Sequence, residues 1–227
     1  MTRKKRYHSR KFRFVQACCL LVTGWLAAGQ LSAAVVADSV TEFSGVQGQD
    51  NWYYGYYPNF GGGSFQQLPY FDSNGSVDLG PWWELTPSQP SWALLWADGG
   101  HPGWSQWVVR RWISEVDGTV NISGEIQDDN LNGPGYVTTR IRVDGVEYLT
   151  RTVGLSDPGP YLYSIDVPVN LGSTVDFIID PAGDESYDGT TFTARISAVP
   201  VPAAVWLFIS GVAGLSLVGR RAADGSA

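Results

Sequence analysis

Apolar and polar side chains alternate along much of the C-terminal half of the chain. In residues 135–143 every second position lies on one face, which carries Val137, Thr139, Ile141 and Val143. A period of two is typical of a β-strand with one buried face. Similar segments, rich in Val, Ile, Thr and Tyr, predict strands at 105–113, 118–126, 135–143, 146–153, 161–167, 174–179 and 190–197.

The N-terminal half is less regular, but it also favours strands over helices. Apolar and aromatic runs between Gly and Pro predict short strands at 38–43, 51–57, 65–71, 81–84 and 91–96. Asp144-Gly145 separates two alternating runs and suits a two-residue type I′ hairpin. Because residues 38–198 contain no segment with a helical period, the sequence predicts an all-β domain, an antiparallel β-sandwich of the jelly-roll type.

The N-terminus has the parts of an export signal. Basic residues cluster before position 14, an uncharged apolar stretch covers 15–28, and small residues follow at Ala33, Ala34 and Ala37. This order is typical of a signal peptide. We expect a signal helix within residues 1–37, recognition by Sec-type export machinery, and cleavage after Ala34 or Ala37. An uncleaved signal anchor is the alternative.

A second apolar stretch stands near the C-terminus. Pro200 and Pro202 come first, an uncharged segment covers 203–219, and Arg220 and Arg221 follow. A helix needs about 17–25 apolar residues to cross a bilayer core. The segment therefore predicts a short transmembrane helix with its arginines on the cytoplasmic side. A plain tail anchor is the alternative.

The order of these parts resembles the PEP-CTERM sorting signal of Gram-negative bacteria. The likeness rests on Pro200, Pro202 and Ala203, which match the Val-Pro-x-Pro-Ala variant, and on the pair Arg220-Arg221 after the apolar span. The resemblance implies a transient intermediate in the inner membrane and cleavage near the prolines by an exosortase. It also implies delivery to the cell surface or extracellular matrix, with a link to exopolysaccharide and biofilm.

Removing both ends (1–37 and 199–227) leaves one predicted domain, residues 38–198. This domain has no cysteine, because Cys18 and Cys19 lie in the signal peptide. It carries six arginines, no lysine and 21 carboxylates, a net charge of −15. Such a charge repels nucleic acid and anionic membranes and suits neutral ligands or divalent cations. A surface that is acidic only for solubility is the alternative.

Aromatic residues are the first candidates for binding. Flat rings stack on the apolar faces of sugars, while acids and amides nearby hydrogen-bond the hydroxyls. The predicted glycan-binding residues are aromatic side chains near Gly- and Pro-rich loops: Trp52, Tyr54, Tyr57, Trp82 and Trp83. The alternative for each ring is packing in the core.

Clustered oxygen ligands in two loops are the second candidates. One cluster is Asp128, Asp129 and Asn130, and the other is Asp180, Asp184 and Asp188. Calcium takes about six to eight oxygen ligands from carboxylates, amides and backbone carbonyls. Either cluster is therefore a predicted calcium site, although neither has EF-hand spacing. Solvated turn residues are the alternative.

No motif indicates catalysis. Glu84, Glu115 and Glu125 are not grouped by any glycosidase pattern. His101 is the single histidine of the domain, and there is no Gly-x-Ser-x-Gly element to accompany it.

The domain also resembles a known class of bacterial extracellular modules. Residues 46–57, 103–124 and 175–196 are similar to carbohydrate-binding-like β-sandwich modules, which implies sugar binding. We therefore expect a non-catalytic surface or matrix protein that binds extracellular polysaccharide. A structural biofilm-matrix protein without a small ligand and a polysaccharide-active enzyme are the alternatives.

Overall fold

Strands carry nearly all of the regular structure in the computed structural model, which describes residues 33–199 except 77–79, 88–91, 131–132, 134, 155 and 158. Within this part of the chain, no helix is long and apolar enough to cross a membrane. The predicted signal helix and transmembrane helix lie outside the described residues, as do Pro200, Pro202, Ala203, Arg220 and Arg221.

Two antiparallel sheets form the fold. The first contains β1 (Ala34–Asp38), β4 (Tyr70–Ser76), β5 (Gly80–Glu84), β6 (Leu94–Trp96), β7 (Gly99–His101), β9 (Gly118–Asp128), β12 (Tyr161–Val169), β14 (Thr190–Phe192) and β15 (Arg195–Ala198). Its order is β1-β15-β9-β14-β7-β6-β5-β4, and β12 also pairs with β9.

The second sheet contains β2 (Trp52–Tyr57), β3 (Gln66–Gln67), β8 (Trp107–Ile113), β10 (Tyr136–Val143), β11 (Val146–Gly154) and β13 (Thr174–Asp180), in the order β11-β10-β13-β8-β2-β3. Two short turns of helix, Gln49–Asn51 and Pro58–Gly61, flank β2. The predicted all-β class is confirmed, and the jelly-roll connectivity stays a prediction.

The hairpin between β10 and β11 has the predicted turn. Val143 pairs with Val146, and the two residues between them, Asp144 and Gly145, have φ angles of 49° and 82°. Positive φ at both central positions defines a type I′ turn. The Asp144 carboxylate also accepts hydrogen bonds from Thr174 N (2.8 Å) and Ser173 Oγ (2.7 Å), so the turn is tied to the start of β13.

The first strand differs from its prediction. The predicted strand 38–43 is wrong, because β1 ends at Asp38, whose Oδ1 accepts hydrogen bonds from Val40 N and Thr41 N, each at 3.1 Å. These bonds turn the chain away from the sheet. The strand instead begins at Ala34, pairs with β15 and buries Ala37.

Other boundaries also differ. The predicted strand 65–71 is two strands, β3 and β4. The segment 190–197 is divided into β14 and β15, while β7 was not predicted. At the division, Thr193 N and Oγ1 both bond to the backbone of Glu125, so β14 and β15 follow the same strand, β9, on either side of an irregular step.

The two sheets pack with aromatic side chains between them. Phe177 of the second sheet meets Phe192 of the first at 5.8 Å between ring centroids, and Trp52 lies 5.9 Å from Phe177. The face of β10 that carries Val137, Thr139, Ile141 and Val143 points inward, and all four residues are buried.

A buried arginine also connects the sheets. Arg110 on β8 crosses the core, where its guanidinium donates to the carbonyls of Trp96 (2.7 Å), Gly99 (3.3 Å) and Phe192 (3.3 Å). Burial lowers the pKa of Arg110, and no carboxylate among the described residues pairs with it. These bonds fix the strands β6 and β7 against the second sheet.

Candidate functional site

Three of the five predicted glycan-binding residues lie in the core. Trp52 and Tyr54 are 0 % exposed, and Trp83 is buried. Tyr54 stacks on Trp83 at 5.7 Å between centroids, and Trp52 Nε1 donates to Glu42 Oε2 at 2.8 Å. The prediction of a surface face is wrong for these residues, because they point into the space between the sheets.

Tyr57 belongs to an ion-pair network on the second sheet. Its hydroxyl donates to Asp176 Oδ2 (2.7 Å) and accepts from Arg111 Nη2 (2.8 Å), while Arg111 Nε donates to Asp176 Oδ1 (2.6 Å). Burial and the bond to Asp176 raise the pKa of Tyr57 to about 12. Because the Tyr57 hydroxyl already donates one hydrogen bond and accepts another, it stabilises this surface and has little remaining capacity to bond a sugar.

Trp82, the fifth predicted residue, lies beside a cleft of the domain. It is directly opposite Trp96 across β5 and β6. Leu95 precedes Trp96 in β6 and points into the core, so Trp96 and its partner Trp82 lie on the outer face of the first sheet.

A cleft of about 760 Å³ opens at Trp96. Aromatic rings, amides, hydroxyls and carboxylates line it, from strands β6 and β7 and from the loops around 92, 130 and 187: Ser76, Trp92, Leu94, Trp96, His101, Asp129, Asn130, Glu185, Ser186, Tyr187 and Gly189. None of the five predicted aromatic residues is among them, but Asp129 and Asn130 of the first predicted calcium cluster are.

Two exposed rings stand at this cleft and a buried one lies within it. Trp92 is 51 % exposed and Tyr187 is 53 % exposed, whereas Trp96 is buried. The backbone of both exposed residues is left-handed, with φ of 35° at Trp92 and 66° at Tyr187. Non-glycine residues rarely adopt this conformation unless the surrounding structure imposes it.

His101 supports the Trp92 ring. The two rings lie 5.4 Å apart at an angle of 38°. His101 Nδ1 lies 2.7 Å from Pro102 O, and a carbonyl can only accept, so Nδ1 carries the proton. Burial lowers the pKa of His101, while hydrogen bonds to the backbone of Pro102 and Trp92 act in the opposite direction. The sequence offered no signal for this role beyond a lone histidine in a loop.

The charge of the cleft is negative. Asp129 and Glu185 line it, and no Lys or Arg does so among the described residues. Thr191 Oγ1 donates to both carboxylate oxygens of Asp129, at 2.9 and 3.1 Å. Burial nevertheless raises the pKa of Asp129 to about 6. A neutral or cationic ligand suits this cleft better than an anionic one.

The predicted calcium clusters are rearranged in the fold. Asp180 pairs with Arg140 at 2.8 Å, and Asp184 is exposed and accepts from Ser186 N at 3.0 Å, which lowers its pKa. Asp188 is buried, and its pKa is raised to about 8, first by burial and then by the charges of Asp184 and Asp128. Within the described ranges, no three or more Asp, Glu, His or Cys side chains form a group that could hold a metal.

No protein-family model matches this chain, and no curated protein does. Solved structures similar to it include the CBM51-2 and INT domains of Clostridium perfringens ZmpB in complex with GlcNAc. That structure has 15% identity and a TM-score of 0.35, over 46% of this chain and 23% of the other, so this chain spans under a quarter of it.

Two further similar structures are carbohydrate-binding modules. The CBM36-1 domain of a multidomain xylanase from the hindgut metagenome of Trinervitermes trinervoides has 16% identity and a TM-score of 0.33, over 66% of this chain and 100% of the other. A family 35 module from an environmental isolate has 13% identity and a TM-score of 0.29, over 46% and 72%. TM-scores this low do not establish a shared fold.

Proposed function

We propose that the protein is an exported, non-catalytic module that binds extracellular polysaccharide in the cleft around Trp92, Trp96 and Tyr187. The observation that carries the proposal is the pair of exposed rings, Trp92 and Tyr187, at an acidic cleft. Exposed aromatic rings cost little to desolvate, and they offer flat faces to the C–H side of a sugar ring. Asp129, Glu185 and Asn130 supply the acceptors and donors for its hydroxyls.

The same charges favour one class of glycan. A polymer of uronic acids would bring carboxylates next to Asp129 and Glu185, which repels it. Neutral or amino sugars avoid this cost. The strongly acidic composition of the whole domain acts in the same direction.

Delivery is the second part of the proposal. The signal-peptide features before Ala37 and the Pro200–Arg221 arrangement favour export through the Sec machinery, transient insertion in the inner membrane, and exosortase cleavage near Pro202. The domain would then reach the cell surface or matrix, where polysaccharide is its partner.

Binding is tested on an array that contains neutral, amino-sugar and uronate polymers, with the full chain in detergent. We expect binding to neutral or amino-sugar polymers. Trp92→Ala should lose about 1 kcal/mol of stacking, about fivefold in Kd for each site, and more on dense polymer through avidity.

Trp104 provides the matched control. It is 54 % exposed, much like Trp92, but it does not line the cleft. Trp104→Ala should bind as the original protein does. Unchanged binding in both Trp92→Ala and Tyr187→Ala would contradict the proposed site. A protein that binds no glycan on the array would favour the structural matrix role instead.

A second candidate function is glycoside hydrolysis, because Asp129 and Glu185 line one cleft. Glycosidases use two carboxylates on either side of the scissile bond. Release of reducing ends from a bound polymer, abolished by both Asp129→Asn and Glu185→Gln, would establish it. Binding without turnover agrees with the first candidate.

A further inference from the structure

Next to the cleft, two buried carboxylates have side-chain oxygens without hydrogen-bond partners. Asp188 is 1 % exposed and Asp128 is 4 % exposed. Both side-chain oxygens of Asp188 and the Oδ2 atom of Asp128 have no hydrogen-bond partner in the described part of the chain. Burying an unpaired carboxylate is expensive, so folded proteins normally offset it with a donor, a proton or a cation.

Four carboxylates act on Asp188 through their negative charge: Asp184, Asp128, Glu185 and Asp180. Among the described residues, Asp180 forms an ion pair with Arg140, and Arg140 is shared with Glu147. No described side chain therefore neutralises the Asp128 and Asp188 pair.

The fold brings the two carboxylates together from distant parts of the chain. Thr190 pairs with Asp128 across β14 and β9, and Asp129 N donates to Gly189 O at 2.9 Å. Asp188 therefore lies two residues before β14, close to the end of β9. Asn130 N donates to Asp128 Oδ1 at 2.8 Å, which fixes this carboxylate and leaves its Oδ2 unpaired.

Backbone oxygens converge at the same place. A Cβ on Gly135 would collide with Ser186 O and would lie 2.8 Å from Asp188 Oδ1 and 3.2 Å from Tyr187 O. All three oxygens thus lie within 3.2 Å of the position that a Cβ of residue 135 would occupy, and glycine leaves that position open. Carboxylates combined with backbone carbonyls are the donor set that Ca²⁺ prefers, whereas Zn²⁺ prefers nitrogen and sulfur.

We propose that Asp128 and Asp188 form a calcium site with the carbonyl oxygens of the 186–187 turn. Water completes the coordination, as is usual for Ca²⁺. The bound ion offsets the buried charge and fixes the loop that carries Glu185 and Tyr187. The site combines one residue from each of the two clusters expected from the sequence, and it does not depend on glycan binding.

The test measures the melting temperature of the detergent-solubilised full chain after EDTA treatment, with and without added CaCl₂. A ligand that binds only the folded state raises the melting temperature by mass action. We expect calcium to raise it, and Asp188→Asn and Asp128→Asn each to abolish the response. Asp184→Asn is the matched control: it removes one charge from the same loop but leaves the ligands in place, so it should keep the response.

Terbium luminescence, excited through the aromatic rings, gives a readout that needs no variant to be stable. The original protein should bind Tb³⁺ and release it to Ca²⁺.

The proposed site is wrong if calcium leaves the melting temperature unchanged and no terbium signal is displaced by calcium. It is also wrong if Asp188→Asn and Asp128→Asn both retain the calcium response. If instead Asp188→Asn is more stable than the original chain in EDTA and calcium changes neither protein, the two carboxylates share a proton and the proposal is wrong. Glycan is absent from every sample, so failure here and failure of glycan binding are distinguishable.

Discussion

Replacing Trp52 by alanine should destabilise the fold and leave the cleft unchanged. Trp52 is 0 % exposed, packs 5.9 Å from Phe177, and donates its indole N–H to Glu42 at 2.8 Å. A buried tryptophan removes about 200 Å² from water, and about 25 cal/mol per Å² gives about 5 kcal/mol. That area is an upper bound, because unfolded chains are already partly compact. We expect a loss of about 3–5 kcal/mol, the usual range for deleting a core tryptophan.

Urea unfolding of residues 33–199, monitored by far-ultraviolet circular dichroism, measures this loss of unfolding free energy. A domain of this size changes its melting temperature by about 2–4 °C for each kcal/mol, so the melting temperature of Trp52→Ala should be lower by about 6–20 °C. Trp104→Ala is the control of identical chemistry. Trp104 is exposed and makes an edge contact with Phe60 at 6.4 Å, so its loss should cost about 0.5 kcal/mol or less.

The reasoning fails if Trp52→Ala costs no more than Trp104→Ala. It also fails if Trp52→Ala abolishes glycan binding while the free energy of unfolding is unchanged, because that result would mean that Trp52 is a surface residue that contacts glycan.

Two further predictions concern pH and delivery. Because burial holds the pKa of His101 below its unfolded value of about 6.5, the folded state disfavours the protonated ring, so the contribution of His101 to stability should be complete above about pH 6.5 and should fall as pH drops below it. We expect this contribution to be missing from the pH dependence of the urea midpoint of His101→Gln, measured between about pH 5 and pH 8. An identical pH dependence in the variant and the original protein would contradict the prediction. Mass spectrometry of mature protein from the medium should find a C-terminus near Pro202, and soluble protein that retains Leu215 and Arg220 would contradict exosortase processing.

Predictability differs between strands of the second sheet for a physical reason. In β10 the apolar and polar residues alternate, so the sequence alone indicates that Ile141 points inward and Arg140 does not. In β2, Trp-Tyr-Tyr-Gly-Tyr-Tyr, both faces are aromatic, and composition does not distinguish the buried Tyr54 from the half-exposed Tyr57. The first sheet covers one face of β2, and that cover is a property of the assembled core.

The sequence by itself determined the local conformation: strands from their period of two, and the Asp144-Gly145 turn from its tolerance of positive φ. These preferences are local, so they are visible in short segments. The tertiary structure alone decided which distant residues meet. Pairing of β9 with β14 brings Asp128 beside Asp188, and the packing of β6 and β7 places Trp96 and His101 at one cleft. Such pairings depend on how the whole chain buries its apolar surface, and no short segment encodes that choice.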